Sequence, residues 1–239
     1  MSKNTVISCL YPNKCAGCGE IIDEDKMFCN YCSAFINNID FKNFCTKCGM
    51  EKENCRCKYR EFHFEGNIGL YKNEGIARKA YYSYKLGKRN YLASFFAENA
   101  VKAVKSAFLN VPFDAVCAVP TAFRSRLKHG FDHNRTIALK IAEIMKTEYI
   151  DSVLKARHFR RLQHKSTFAE RLENVRGKYY TVGRVNKKCV LLFDDIYTTG
   201  ATLDECAKEL LFAGARKVYC VSVLMTDKRK KKEVTKNGD

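Results

Sequence analysis

The chain has 239 residues, enough for one large domain or for one medium and one small domain, and its 46% hydrophobic content supports a packed core. Its 43 basic and 26 acidic residues leave a net charge of +17, which favours nucleic acid, an anionic surface or phosphorylated ligands as partners. No run approaches the roughly 20 apolar residues of a membrane span, and residues 1–10 are too short and too polar for a signal peptide, so a cytoplasmic protein is expected.

The N-terminal region is dominated by cysteine. Thirteen cysteines argue against a disulfide framework in such a chain. Eight of them form close pairs: Cys15 and Cys18, Cys29 and Cys32, Cys45 and Cys48, Cys55 and Cys57. A C-x-x-C knuckle points two thiolates at one ion, and two knuckles complete a tetrahedral sulfur shell. Two structural Zn²⁺ sites are therefore expected, with no open catalytic position. Sequential pairing is the simplest, and an interleaved arrangement stays open. An iron–sulfur cluster fits such repeated, short-spaced pairs less well. A region this small buries little core, so metal binding is expected to supply its folding energy. Cys117, Cys189, Cys206 and Cys220 lie on apolar or helical patterns and read as small hydrophobes.

After Cys57 the composition changes. Two short runs, 62–64 and 68–71, flank Glu65-Gly66-Asn67 and predict a hairpin. Helices are predicted over 76–84 and 91–108. A strand at 115–119 ends in Pro120, a helix follows over 134–146, and a short strand lies within 149–154. A long basic segment runs from 155 to 178. A strand at 189–193, a helix over 202–213 and a strand at 217–224 complete the pattern. This alternation predicts an α/β fold: a parallel sheet with helices on both faces.

The most informative stretch is 189–202. An apolar run leads into Asp194 and Asp195, then into the small and hydroxylated residues Thr198, Thr199, Gly200, Ala201 and Thr202, and then into a helix. A strand end carrying two acids and a turn that feeds a helix N-terminus suits a sugar phosphate. The turn's N–H groups and the helix N-terminus favour the phosphate, and the acids accept hydrogen bonds from ribose hydroxyls. A plain strand–turn–helix with Thr202 as N-cap and Asp195 solvated is the simpler alternative. It does not require paired acids beside Thr-Thr-Gly.

Two basic loops accompany this stretch. The first follows Pro120 and carries Arg124, Arg126 and Lys128, with His129 and His133 read as polar contacts and not as a metal pair. It follows a strand end, which places its charges on the ligand-binding edge of the sheet. The second, within 155–178, carries Gln163, Lys165, Arg171 and Asn174 and has the length of a lid. The run 228–232 opens a basic tail.

The stretch at 194–202 resembles the binding motif for phosphoribosyl pyrophosphate (PRPP) in type I phosphoribosyltransferases. That resemblance implies that Asp194 and Asp195 hold the ribose hydroxyls while Thr198, Thr199, Gly200, Ala201 and Thr202 wrap the 5′-phosphate. Departure of pyrophosphate from ribose C1 through an oxocarbenium-like state needs cationic stabilisation, from basic loops and from Mg²⁺. The whole order of parts resembles the ComF family, a zinc ribbon followed by a phosphoribosyltransferase domain. Its loop pattern, a Val-Pro pair, an Arg and then Gly-Phe-Asn-Gln, is met by Val119, Pro120, Arg124, Gly130 and Phe131, with Asp132 and His133 in place of the Asn-Gln pair. Its later residues match Gln163, Glu170, Arg171 and Asn174. The resemblance implies a protein of DNA uptake in natural transformation that binds PRPP and single-stranded DNA beside a helicase-like partner. An active phosphoribosyltransferase of nucleotide salvage and a PRPP-sensing regulator are the alternatives. The expected division is a zinc-ribbon region at 1–60, a type I phosphoribosyltransferase-like domain at 61–227 and the tail at 228–239.

Overall fold

The computed structural model describes residues 12–36, 43–55, 57–86, 89–121, 130–157, 173 and 175–226. Its strands are β1 (Gly66–Lys72), β2 (Ala115–Ala118), β3 (Glu148–Tyr149), β4 (Leu154–Ala156), β5 (Tyr179–Thr181), β6 (Cys189–Tyr197) and β7 (Lys217–Met225). Five of them make one parallel sheet in the order β1-β7-β6-β2-β3, while β4 and β5 pair antiparallel as a separate ribbon.

The central strands are near-continuous apolar runs because helices cover both faces of a parallel sheet. Leu191, Phe193, Val221 and Val223 point to one face. There they meet α2 (Gly75–Lys85), α3 (Leu92–Ala107) and α4 (His133–Met145). Val190, Leu192, Val218 and Cys220 point to the other, against Leu203, Cys206, Ala207 and Leu210 of α5 (Ala201–Phe212). The expected α/β architecture with two covered faces is what the chain adopts. The four later cysteines, Cys117, Cys189, Cys206 and Cys220, are buried within it as small apolar groups.

Two predicted elements differ. The hairpin over 62–71 is instead the single strand β1, which pairs with β7, Ile68 opposite Val221. Gly66 and Asn67 lie in that strand and not in a turn. Gly66 is needed for close approach: a Cβ there would sit 2.9 Å from the Thr46 carbonyl oxygen. The strand predicted within 149–154 is divided. β3 pairs with β2, the chain turns away at Ser152 (φ 59°), and β4 then pairs with β5.

The cysteine knuckles repeat one small device. The antiparallel bridges Lys14–Ile21 and Phe44–Glu51 each enclose one C-x-x-C turn. A short helix, α1 (Asn30–Phe35), carries Cys32. The first ribbon shares the main core. Cys15, Ala16, Phe28 and Cys32 join it, Phe28 lies 5.1 Å from Phe95 of α3, and Arg89 Nη1 donates to the Cys15 carbonyl at 3.0 Å. The second ribbon docks on β1. Asn67 donates through its backbone N–H to Thr46 O at 3.0 Å and through Nδ2 to Cys48 O at 3.1 Å. Gly49, at φ 73°, leaves room for this contact, since a Cβ would meet Asn67 Nδ2 at 2.5 Å. A region too small for its own core thus borrows one. No described helix is long and apolar enough to cross a membrane, and the tail at 228–239 lies outside the described residues.

Candidate functional site

Strands β2 and β6 are neighbours, yet the chain continues from β2 to β3 on one side and from β6 to β7 on the other. The crevice at their carboxyl ends is therefore the topological switch point, where open α/β sheets place ligands. Asp194 and Asp195 lie near the end of β6, and Pro120 follows β2. The site strand runs on through both acids to Tyr197, beyond its predicted end at 193.

The two carboxylates occupy different environments. Asp194 is buried, 6% exposed, and its Oδ1 accepts from Asn134 Nδ2 at 3.1 Å and from the Asp195 N–H at 2.9 Å. Burial first, and then the charge of Asp195, push its pKa up to about 8. Burial would also raise the Asp195 carboxyl, but the His133 imidazole and the Lys85 ammonium outweigh it and hold that carboxyl well below the usual range. Lys85, the last residue of α2, is ion-paired with Asp195 Oδ2, and His133 Nε2 lies 3.4 Å from the same oxygen. One acid is driven towards its neutral form and its neighbour towards its ionised form, the usual direction when two carboxyls crowd one site.

The sequence marks His133 only as a polar contact, and no motif marks Lys85, Asn134 or Arg60 as site residues. Asp132 caps α4 by accepting from the Arg135 N–H at 3.0 Å, and this sets His133 and Asn134 at the helix start. The signal was the departure from the family loop at 132 and 133. His133 Nδ1 and Asn134 Oδ1 are buried with no partner among the described residues, so both remain able to bond a ligand or water.

The turn after β6 is tight. Gly200 adopts φ 75° and is the N-cap of α5, which starts at Ala201, so Thr202 lies in the first helical turn and is not the cap. Thr199 Oγ1 accepts from the Ala201 N–H at 3.3 Å. The unsatisfied N–H groups of this helix start favour an anion. Arg60, just past the second ribbon, donates to the Thr199 carbonyl at 3.0 Å and to Asp204 Oδ2 at 2.9 Å. Replacing it, Arg60→Ala, is expected to cost about 1–3 kcal/mol in thermal unfolding, because both contacts are largely buried.

Of the predicted site residues, the structure brings Asp194, Asp195, Thr198, Thr199, Gly200, Ala201, Thr202 and Pro120 to this end of the sheet. Arg124, Arg126 and Lys128 of the first loop, and Gln163, Lys165, Arg171 and Asn174 of the second, lie outside the described residues.

The eight paired cysteines gather as two sequential sets: Cys15, Cys18, Cys29 and Cys32, then Cys45, Cys48, Cys55 and Cys57, with all sulfurs of a set within 4.8 Å of one another. Sulfur separations include 3.8 Å for Cys18–Cys29, 3.8 Å for Cys45–Cys57 and 3.7 Å for Cys48–Cys55. The edge of a tetrahedron with Zn–S bonds of ~2.3 Å is about 3.8 Å, so the donors fit zinc. These spacings are far too long for disulfides. Backbone N–H groups of Gly17 and Cys29 approach Cys15 Sγ at 3.4 and 3.2 Å. Against the opposing effect of burial, such bonds favour the thiolate form of Cys15. Four thiolates this close need a cation between them.

The description of the double zinc ribbon domain matches residues 6–61. Competence protein ComFC of Streptococcus pneumoniae is 24% identical over 217 residues, covering 84% of this chain and 89% of that protein. Part of the chain also overlays on glutamine PRPP amidotransferase from B. subtilis, with 26% identity and a TM-score of 0.37 over 57% of this chain; the match spans 26% of that enzyme's length. A purine phosphoribosyltransferase from Pyrococcus horikoshii overlays at 13% identity and a TM-score of 0.37, over 56% of this chain and 74% of that one. The chain thus joins a double zinc ribbon to a parallel sheet whose acidic strand end feeds a Thr-Thr-Gly turn, and over most of its length it is similar to ComFC.

Proposed function

We propose that this is a competence-related DNA-handling protein that binds PRPP with Mg²⁺ at the β6–α5 turn and single-stranded DNA on its basic surface. The observation that carries the reading is the pair of unlike carboxyls at the switch point, beside a helix N-terminus. The likeness to ComFC and the charge of +17 support the DNA part.

In this reading Asp195, ionised, accepts from a ribose hydroxyl, and Asp194 takes the other. Lys85 must then share or give up its carboxylate. Thr198, Thr199 and Thr202 donate hydroxyls to the 5′-phosphate, the N–H of Gly200 faces it, and the Ala201 N–H reaches it once Thr199 Oγ1 releases that donor. Arg124, Arg126 and Lys128 would meet the pyrophosphate, and Gln163, Lys165, Arg171 and Asn174 would cover it. Mg²⁺, when bound, would neutralise charge on the departing pyrophosphate beside these residues. A helicase-like partner, a cytoplasmic location and the division at 60/61 and 227/228 belong to the same proposal.

Paired titrations test it: PRPP–Mg²⁺ and single-stranded DNA, each with and without the other. Both ligands are expected to bind. The double variant Asp194→Asn/Asp195→Asn should weaken PRPP by about 100-fold or more, the equivalent of ~2.7 kcal/mol, and leave DNA affinity unchanged. No PRPP binding by the native chain, or full binding by the double variant, sinks the ribose site. Pyrophosphate release with a nucleobase acceptor would instead identify a salvage transferase.

A further inference from the structure

A cleft of about 1050 Å³, with neither Asp194 nor Asp195 in its lining, lies between the first ribbon and α2. Lys14, one residue before the Cys15 ligand, stands on one wall. Arg78, Lys79 and Tyr82 of α2 stand on another, and Arg89 and Tyr91, from the segment leading into α3, complete it. Glu24 is the acid among these walls. None of the four cations makes an ion pair with an acid among the described residues.

The chemistry of the lining is mixed in a specific way. Arg78 lies over the Tyr82 ring, 5.0 Å from its centroid, and Tyr91 is 42% exposed although it is a large aromatic residue. Cations from three separate chain segments, interleaved with tyrosine faces, match a polyanion that also offers flat rings. Phosphates meet the cations and bases stack on the aromatics. The volume is at the upper end of small-ligand sites, about 300–1,000 Å³, and suits a strand passing through better than one enclosed anion. An acidic peptide or inorganic polyphosphate would use the charges and leave the tyrosines idle.

We propose that this cleft is the path of a single-stranded nucleic acid across the protein. The proposal rests on the DNA-handling reading above and gives it a place. The first zinc site shapes one wall, because Lys14 adjoins Cys15 and Arg89 holds the Cys15 carbonyl.

Fluorescence anisotropy with a labelled oligo-dT strand, on the full zinc-loaded chain and over a salt series, tests it. Arg78 and Lys79 are exposed, so charge reversal leaves the core intact. Arg78→Glu/Lys79→Glu is expected to weaken binding about tenfold or more. It should also reduce the slope of log affinity against log salt by about 1.4, at ~0.7 for each of two cations on a single strand. Tyr91→Ala is expected to lose about 5- to 10-fold for oligo-dT and nothing for inorganic polyphosphate. Far-UV circular dichroism and zinc content confirm that each variant is folded. If the native chain binds oligo-dT and the folded variants bind it equally well, the cleft is the wrong place while DNA handling stands. If the native chain binds no single strand even at low salt, both readings fail. Equal losses of oligo-dT and polyphosphate in Tyr91→Ala would overturn base stacking and with it the nucleic-acid occupant.

Discussion

Asp194→Asn is expected to raise the stability of this protein at pH 8, and Asp195→Asn, one residue away, to lower it. The opposite signs follow from the two environments. Asp194 is buried and pushed up to about 8, so the folded chain keeps a proton that the unfolded chain, with a carboxyl near its ordinary value of 3.8, has already lost. The native state binds more protons, and stability therefore falls as pH rises from about 4 to 8, by at most ~1.4 kcal/mol per pH unit. An amide at 194 still accepts from Asn134 and from the Asp195 N–H, needs no proton, and removes that fall. For Asp195 the sign reverses. Its carboxyl is depressed by His133 and Lys85 against the effect of burial, so its contribution is present above the ordinary carboxylate pKa and lost in acid. Asp195→Asn leaves Lys85, whose side chain is 24% exposed, without its partner, at a cost of about 2–3 kcal/mol. At this chain length that is a fall in Tm of roughly 5–10 °C. Melting curves of both variants between pH 5 and 9 check the pair. Parallel pH dependence in wild type and Asp194→Asn would show that Asp194 is ionised in the folded chain. The double variant should not be the sum of the two, since each carboxyl sets part of the other's field.

What could be read in advance, and what could not, divides by the distance over which each feature is decided. The run from Cys189 to Phe193 and the acids after it are local: a strand buried on both faces must be apolar throughout, and its end must carry the ligand chemistry. The helices packed on the sheet are equally plain in their spacing, whereas the short α1 within the first ribbon carries no such pattern. Strand β1 is not plain either. Its hydrogen-bond partner is β7, about 150 residues later, with Gly66 opposite Tyr219, and no local pattern separates such a strand from half of a hairpin. The same limit applies within the site. Lys85 reaches Asp195 across 110 positions and Arg60 reaches Thr199 across 139. Neither carries a motif. His133 was in view as a departure from a family pattern, but only the cap at Asp132 and the burial of α4's first turn show that it faces Asp195. The cysteine spacing gave the number of zinc sites and left the pairing open. The hydrogen bond from the Cys29 N–H to Cys15 Sγ belongs to the sequential arrangement.

Removal of zinc is expected to have the largest effect of all, and to reach the sheet as well as the ribbons. Structural zinc in small modules is worth roughly 10–16 kcal/mol in apparent folding free energy at neutral pH, about the whole stability of a typical domain. A ribbon joined by a free linker would unfold alone. Here Cys15, Ala16, Phe28 and Cys32 are part of the core that covers one face of the sheet, and Phe44 and Met50 pack against the other cluster. Unfolding either ribbon therefore uncovers sheet core. Chelation at neutral pH should release two ions per chain, one for each sulfur cluster, and lower the single melting transition by more than ~10 °C. An unchanged main transition beside a separate early one would show that the ribbons are independent. The two sites should also separate by function. In Cys45→Ser the second ribbon loosens next to Arg60, which holds the Thr199 turn, so PRPP affinity should fall. In Cys15→Ser the damage falls first on the wall shared by Lys14 and Arg89, so oligo-dT affinity should fall more than PRPP affinity. Each variant keeps one zinc. Measuring both ligands on both proteins shows whether the ribbons serve one site or two, and equal losses of both ligands in both variants would mean that zinc supports only the fold.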